Sequence, residues 1–231
     1  MRIVDKPVIC AAIAEVKEHM ARAARENSRS PDEVTLVAVS KTFPAASIRA
    51  AASCAQRDFG ESYVQEALAK QKELSDLDLV WHFIGPIQSN KTQEIVKNFD
   101  WVHGVDREKI ALRLSRQRPD SLQPLNVCLQ VNVSGESTKS GVAPDEVFAL
   151  AATISGLPGL KLRGLMAIPA PDQDPRPGFR LLRTLKNALN DRGYKLDTLS
   201  MGMSGDYEIA IQEGATFVRV GSAIFGNRSY G

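Results

Sequence analysis

From residue 34 onward the chain repeats one unit: a short β-branched or aromatic run, a turn, then a stretch with apolar residues at helical spacing. The runs read as strands over 34–39, 57–60, 81–84, 101–104, 126–133, 161–168, 198–201 and 216–220. Helical stretches fall between them at about 44–56, 63–74, 89–99, 107–117, 144–155, 179–191 and 204–213. Strict alternation implies a parallel sheet with right-handed crossovers, and eight units close it into a (β/α)8 TIM barrel. An open doubly wound sheet is the alternative. Ahead of the repeat, Val8, Ile9, Ala12, Ile13 and Val16 mark an extra N-terminal helix over 5–27, ended by Ser30-Pro31-Asp32.

Pro44, Pro144 and Ser204 stand where a first-turn proline or a capping hydroxyl is expected. The breaker-rich loop 169–178 follows the sixth strand and predicts a mobile rim, and only a short tail is expected after the eighth. With no linker or shift of composition, residues 1–231 read as a single domain, a normal length for this barrel.

Composition narrows the setting. A hydrophobic fraction of 43% with 24% charged residues fits a chain that buries a sizeable core. The net charge of +2 is too balanced for a sequence-independent grip on nucleic acid, so the cluster Arg113, Arg116 and Arg118 reads as a solvated helix end. Cys10, Cys54 and Cys128 lack zinc or CxxC spacing, so no disulfide framework or metal site is expected and a reducing compartment fits best. The apolar start is broken by Glu15, Lys17 and Glu18 too early for a signal peptide, and no run approaches the ~18 residues of a membrane span. A cytoplasmic protein is expected.

In such barrels the working face lies at the carboxyl ends of the strands. Here those ends bring Lys41, Ser62, Asp106, Asn132, Met166, the loop from Gly202 to Gly205, and Gly221-Ser222 to one mouth. A lysine after the apolar run ending at Val39 would be partly desolvated and free to form an imine with an aldehyde; a snorkelling rim lysine is the bland alternative. The loops after strands seven and eight, the usual phosphate cup, read Met201-Gly-Met-Ser-Gly-Asp206 and Arg219-Val-Gly-Ser-Ala-Ile-Phe-Gly226. Glycines there admit backbone N–H groups to an anion, Ser204 is expected to begin a helix facing it, and Ser222 adds a second hydroxyl. An amine on one side and an anion cup on the other suit a phosphorylated aldehyde, and pyridoxal 5′-phosphate (PLP) fits. Arg219 would then reach the ring nitrogen; having only donors, it would leave the ring a poor electron sink, unless it is merely an ion pair inside the barrel.

Ala38-Val-Ser-Lys41, Phe59-Gly-Glu-Ser-Tyr-Val-Gln-Glu66, Trp81-His-Phe-Ile-Gly-Pro-Ile-Gln-Ser-Asn-Lys91, Met201-Gly-Met-Ser204 and Val218-Arg-Val-Gly-Ser-Ala-Ile-Phe-Gly226 resemble the PLP homeostasis proteins of the YggS/PROSC type, nearly over the whole chain. The resemblance implies a fold similar to the barrel of alanine racemase, with the cofactor held as an internal aldimine on Lys41. It also implies phosphate contacts at Ser204, Gly221 and Ser222, and the ring nitrogen near Arg219. Ser62, Asn132 and Met203 complete the expected cofactor lining. Ser62 departs from the asparagine usual in the family, and Ser222 replaces its usual threonine. Lys139, within Thr138-Lys-Ser-Gly141, matches a second family lysine for which a role in cofactor transfer is suggested. The implied function is intracellular vitamin B6 balance without catalytic turnover. PLP is the cofactor, PLP-dependent apoenzymes are the expected partners, and a monomer is expected.

An amino-acid racemase is the enzymatic rival, but it needs a base on the opposite face of the cofactor, for which no residues remain. A serine hydrolase is the rival of another class. Gly202-Met-Ser-Gly205 lacks G-x-S-x-G spacing, and His19, His82 and His103 all precede the serine. His82 and His103 read as packed or rim histidines rather than metal ligands, and Asp106 and Asp206 as helix caps.

Overall fold

The computed structural model describes residues 5–136 and 140–226. Eight parallel strands close into a barrel in chain order: β1 (Thr35–Val39), β2 (Asp58–Glu61), β3 (Val80–Phe83), β4 (Trp101–Val105), β5 (Leu125–Gln130), β6 (Leu160–Met166), β7 (Thr198–Ser200) and β8 (Phe217–Val220). The helices α1 (Lys6–Glu26), α2 (Ala45–Ala52), α3 (Val64–Glu73), α4 (Thr92–Asn98), α5 (Glu108–Gln117), α6 (Val147–Ser155), α7 (Arg176–Asp191) and α8 (Tyr207–Gln212) alternate with them. The expected barrel forms, and the open sheet does not.

Every expected strand is present, with ends shifted by a few residues. The differences have local causes. Helix α6 starts after Pro144, because Glu146 turns back to accept the Ala143 N–H at 3.2 Å and closes a turn first. Helix α7 starts earlier than expected, at Arg176, because Pro177 sits in the first turn, where its missing N–H costs nothing. Ser204 does not begin α8; it lies in the preceding turn, and Asp206 is the flanking residue. A further short helix, α9 (Ser222–Phe225), stands where only a tail was expected.

Side chains alternate along each strand and define two cores. The outward set packs under the helices in one large cluster, while Trp101, Cys128 and Met166 form a separate cluster in the lumen, against Val80 and Phe217. Helix α1 buries Ile9, Ile13, Val16, Met20, Ala23 and Ala24, a stripe at three- and four-residue spacing, against α2, α8 and α9; Val8 stays exposed. Arg118, half-exposed, is not merely solvated: its guanidinium also donates to the carbonyls of Val96, Phe99 and Gln123 and ties down the end of α5.

Two cysteines depart from expectation. Cys10 on α1 and Cys54 just beyond α2 are joined as a disulfide, with Cα atoms 5.6 Å apart. They are separated by 44 residues, and pairing at that distance is a property of the packed helices that spacing cannot reveal. Cys128 is buried in the lumen, where burial pushes its thiol up to about 12.

Strands β6 and β7 meet so closely at Gly164 that a Cβ there would strike the Thr198 carbonyl. Gly164→Ala should therefore lose about 3 kcal/mol or more in urea unfolding, the upper range for overpacking. Gly156→Ala, whose Cβ would meet its nearest atom at 3.6 Å, should be nearly neutral in the same assay.

Candidate functional site

The barrel mouth holds a cavity of about 270 Å³ whose lining includes Lys41, Ser62, Met203, Ser204, Arg219, Gly221 and Ser222. Seven of the side chains or backbones expected from sequence thus converge on one concavity. Val39, Ile84 and Ile168 supply apolar walls. A larger cleft of about 480 Å³ lies at the opposite end, lined by Arg29, Arg163, Lys186 and Asp197 among others. Its arginines are already engaged: Arg163 with Asp197 at 2.6 Å and Asn126 at 2.8 Å, Arg29 with Glu33 at 3.1 Å and the Ile211 carbonyl at 2.9 Å.

Lys41 sits on a braced platform. Its neighbour Ser40 donates through Oγ to Glu61 Oε1 at 2.6 Å, and the Ser40 carbonyl accepts from Lys70 Nζ at 2.8 Å. Lys70 also donates to Glu61 at 2.7 Å and to Glu66 at 2.5 Å. Glu66 in turn accepts the Thr42 N–H at 2.6 Å. Thr42 lies in the left-handed region at φ 70°, which costs a non-glycine residue on the order of 1 kcal/mol, and the bond to Glu66 holds it there. Glu61 is fully buried between sheet and α3, and burial raises its pKa against the lowering pull of Lys70. Sequence reasoning missed this cluster, although Glu66 and Lys70 are an i, i+4 pair on one helix and could have been flagged as such.

The side of the cavity across from Lys41 is built from two loops. Gly202, at φ 95°, has no room for a Cβ, which would fall 2.6 Å from Ala210. Its carbonyl accepts the Arg219 N–H at 2.9 Å, and Ser204 Oγ accepts the Gly221 N–H at 3.3 Å, so the loops after β7 and β8 are fastened together. Asp206 steers the first loop by accepting the Met203 N–H at 2.6 Å. In α9 the N–H groups of Ile224 and Phe225 return to the Gly221 carbonyl, while those of Ser222 and Ala223, first in the turn, have no acceptor within the helix.

Asn132 is placed differently from expectation. Its side chain donates to the Glu136 carbonyl at 2.8 Å and accepts the Gly135 N–H at 3.1 Å, shaping its own turn after β5, and it does not line the cavity. Lys139 lies outside the described residues.

Arg219 is 5% exposed, and it donates to Ser200 Oγ at 2.7 Å and to the Ala167 carbonyl at 3.1 Å. It is not an ion pair: among the described residues no carboxylate lies within bonding distance of it, and Asp206 acts only at longer range. Burial lowers its pKa to about 10, so it stays charged at neutral pH. His82 and His103, expected as packed histidines, are fully buried in the lumen, and no metal-binding cluster occurs among the described residues.

Fold and site together define a (β/α)8 barrel of the alanine racemase type: the family model for the alanine racemase N-terminal domain matches residues 15–229. Pyridoxal phosphate homeostasis proteins of Pseudomonas aeruginosa and Escherichia coli K12 are 58% and 49% identical to this chain, covering 95% and 94% of it and 95% and 96% of themselves. The chain belongs to the pyridoxal phosphate homeostasis protein family. PipY of Synechococcus elongatus, solved with PLP bound, superposes with a TM-score of 0.83 at 40% identity, covering 94% of this chain and all of that one. Alanine racemase from Corynebacterium glutamicum reaches a TM-score of 0.70 at 16% identity and matches over 62% of its own length, a likeness of fold alone.

Burial holds the His103 pKa well below its ordinary 6.5, with His82 and Arg219 adding to the effect. The unfolded chain therefore takes up a proton near pH 6.5 that the folded protein refuses. Stability should fall as pH drops below that value, by up to about 1.4 kcal/mol per pH unit from this group. Urea unfolding at a series of pH values checks the slope, which His103→Gln should flatten.

Proposed function

We propose that this protein binds PLP at the barrel mouth and serves vitamin B6 homeostasis without turning the cofactor over. The observation that carries this is the convergence of Lys41, Arg219, Ser204 and Ser222 on one cavity of about 270 Å³. The PLP-bound relative at 40% identity supports the same reading. Bound PLP supplies an aldehyde that condenses reversibly with an amine and a ring that can draw electrons.

The residues fit that group. Lys41 brings the amine, on a backbone held from both sides by Glu61, Glu66 and Lys70. Ser204 and Ser222 bring hydroxyls, and the first N–H groups of α9 bring backbone donors, to a phosphate; each charge-assisted bond contributes about 1.5–3 kcal/mol. Ser62, Met203 and Gly221 line the same cavity, Gly221 would let backbone approach an anion, and Val39, Ile84 and Ile168 would give the ring apolar walls. Arg219 offers a donor to the ring nitrogen and cannot accept its proton, which leaves the ring a weak electron sink. Among the described lining residues Lys41 is the one amine and no carboxylate or histidine stands opposite it, which supports binding over racemisation. We propose further that the chain works as one domain and as a monomer in the cytosol, handing PLP to apoenzymes with Lys139 assisting transfer. No helix among the described residues is long and apolar enough to cross a membrane.

The purified protein should be yellow and bleach with borohydride. After reduction the cofactor mass should appear on the peptide containing Lys41, and Lys41→Ala should fold but lose the absorption band. Label confined to Lys139 or Lys91 would refute the assignment.

The two serines give a separable test. Ser204→Ala with Ser222→Ala should weaken PLP strongly, by about tenfold or more for each bond lost, and phosphate-free pyridoxal little. Equal weakening of both ligands in a titration would count against the anion cup.

A further inference from the structure

Behind Arg219 a row of buried polar groups runs the length of the lumen. Ser200 Oγ, which accepts from Arg219, lies 2.7 Å from His103 Nδ1. His103 Nε2 lies 2.9 Å from His82 Nδ1, and His82 Nε2 lies 3.0 Å from Asp58 Oδ1. Ser200, His103 and His82 have no exposure at all, whereas the Asp58 side chain, at the first residue of β2, is 23% exposed at the far end of the barrel. Trp101 and Phe217 wall the two imidazoles, Trp101 stacked on His82 with centroids 5.8 Å apart and Phe217 5.7 Å from His103.

The direction of every bond follows from its two ends. A guanidinium can only donate, so Ser200 Oγ receives from Arg219; a hydroxyl could accept a second bond, but among the described residues the buried Ser200 proton has His103 Nδ1 as its one acceptor, and we assign it there. His103, beside a buried cation and denied water, is neutral, so its proton is on Nε2 and points at His82 Nδ1. His82 then carries its own proton on Nε2 and gives it to the Asp58 carboxylate, which only accepts. A donor-only cation and an acceptor-only anion thus terminate one chain of four bonds. A buried cation without a bonded carboxylate needs its acceptors oriented, and this chain orients the hydroxyl that Arg219 uses.

We propose that Asp58, His82, His103 and Ser200 act as one directional hydrogen-bond chain that positions Arg219 at the ring nitrogen of the bound cofactor. They are positioning residues: none but Arg219 reaches the cavity. The inference rests on the PLP reading of that cavity, but the chain itself can be examined without cofactor.

Nitrogen NMR of the cofactor-free protein, labelled with 15N-histidine, reads the proton positions near neutral pH. The expected result is that His82 and His103 are both neutral with the proton on Nε2. A charged His82 beside an Nδ1-protonated His103 would reverse the central bond and overturn the proposal, whether or not PLP binds. Ser200→Ala should weaken PLP about fivefold to tenfold, the value of a lost bond to a charged group, and move its absorption maximum. Ser200→Thr, which keeps the hydroxyl, should restore both. Asp58→Leu, remote from the cavity, should replace the single histidine tautomer by a mixture and shift the same absorption. Unchanged affinity and absorption in Ser200→Ala and Asp58→Leu would also overturn it. A wild-type protein that never develops the PLP band would instead sink the cofactor reading and leave the histidine result standing.

Discussion

The pairing of the first strand with the last is the constraint on which the site depends. Strands β1 and β8 run parallel with Val37 beside Arg219 and Ala38 beside Val220, and the Thr35 N–H reaches the Thr216 carbonyl at 2.8 Å. That register sets Lys41, just past the end of β1, against Gly221-Ser222, just past the end of β8. Because side chains alternate, a slip of one residue would turn Arg219 out of the lumen and into the helix layer. Closure therefore decides at once that Lys41 faces the loops after β7 and β8 and that the guanidinium sits beneath both.

Among the described residues two cations are buried, and they are accommodated by different means. Lys70, between sheet and helix, is surrounded by Glu61, Glu66 and the Ser40 carbonyl. Desolvating such a pair costs several kcal/mol per ion, and the compensation is geometric: it holds the backbone on both sides of Lys41. Arg219 instead meets neutral oxygens, Ser200 Oγ and the Ala167 carbonyl. A direct carboxylate would have drawn the guanidinium away from the mouth. Neutral acceptors leave its charge and its further donors available to the cavity that it lines.

Alternation also makes the lumen unlike the rest of the core. Outward positions such as Phe59, Phe83 and Leu129 pack under helices, while inward positions include His82, His103, Ser200 and Arg219. In sequence those inward residues are scattered over more than a hundred positions, and each alone suggests a packed polar side chain. Their meaning appears only when the strands stand side by side. The same holds for Asn132, which ends a strand at the mouth yet spends its amide on its own turn.

Periodicity along the chain determined the eight alternating strand and helix units, because strand and helix periods are local properties that the hydrophobic effect enforces residue by residue, whereas the choice of a closed barrel over an open sheet rests on the pairing of β1 with β8. The strand ends and glycine-rich loops likewise marked Lys41, Ser204, Arg219, Gly221 and Ser222, since the fold assigns those loops to the working face. Only the tertiary structure decided which polar groups complete one another: Glu61 with Lys70, Cys10 with Cys54, and Asp58 with His82. These are contacts between separate elements, fixed by register and closure to within an ångström, and hydrogen bonds and disulfides form only at that precision.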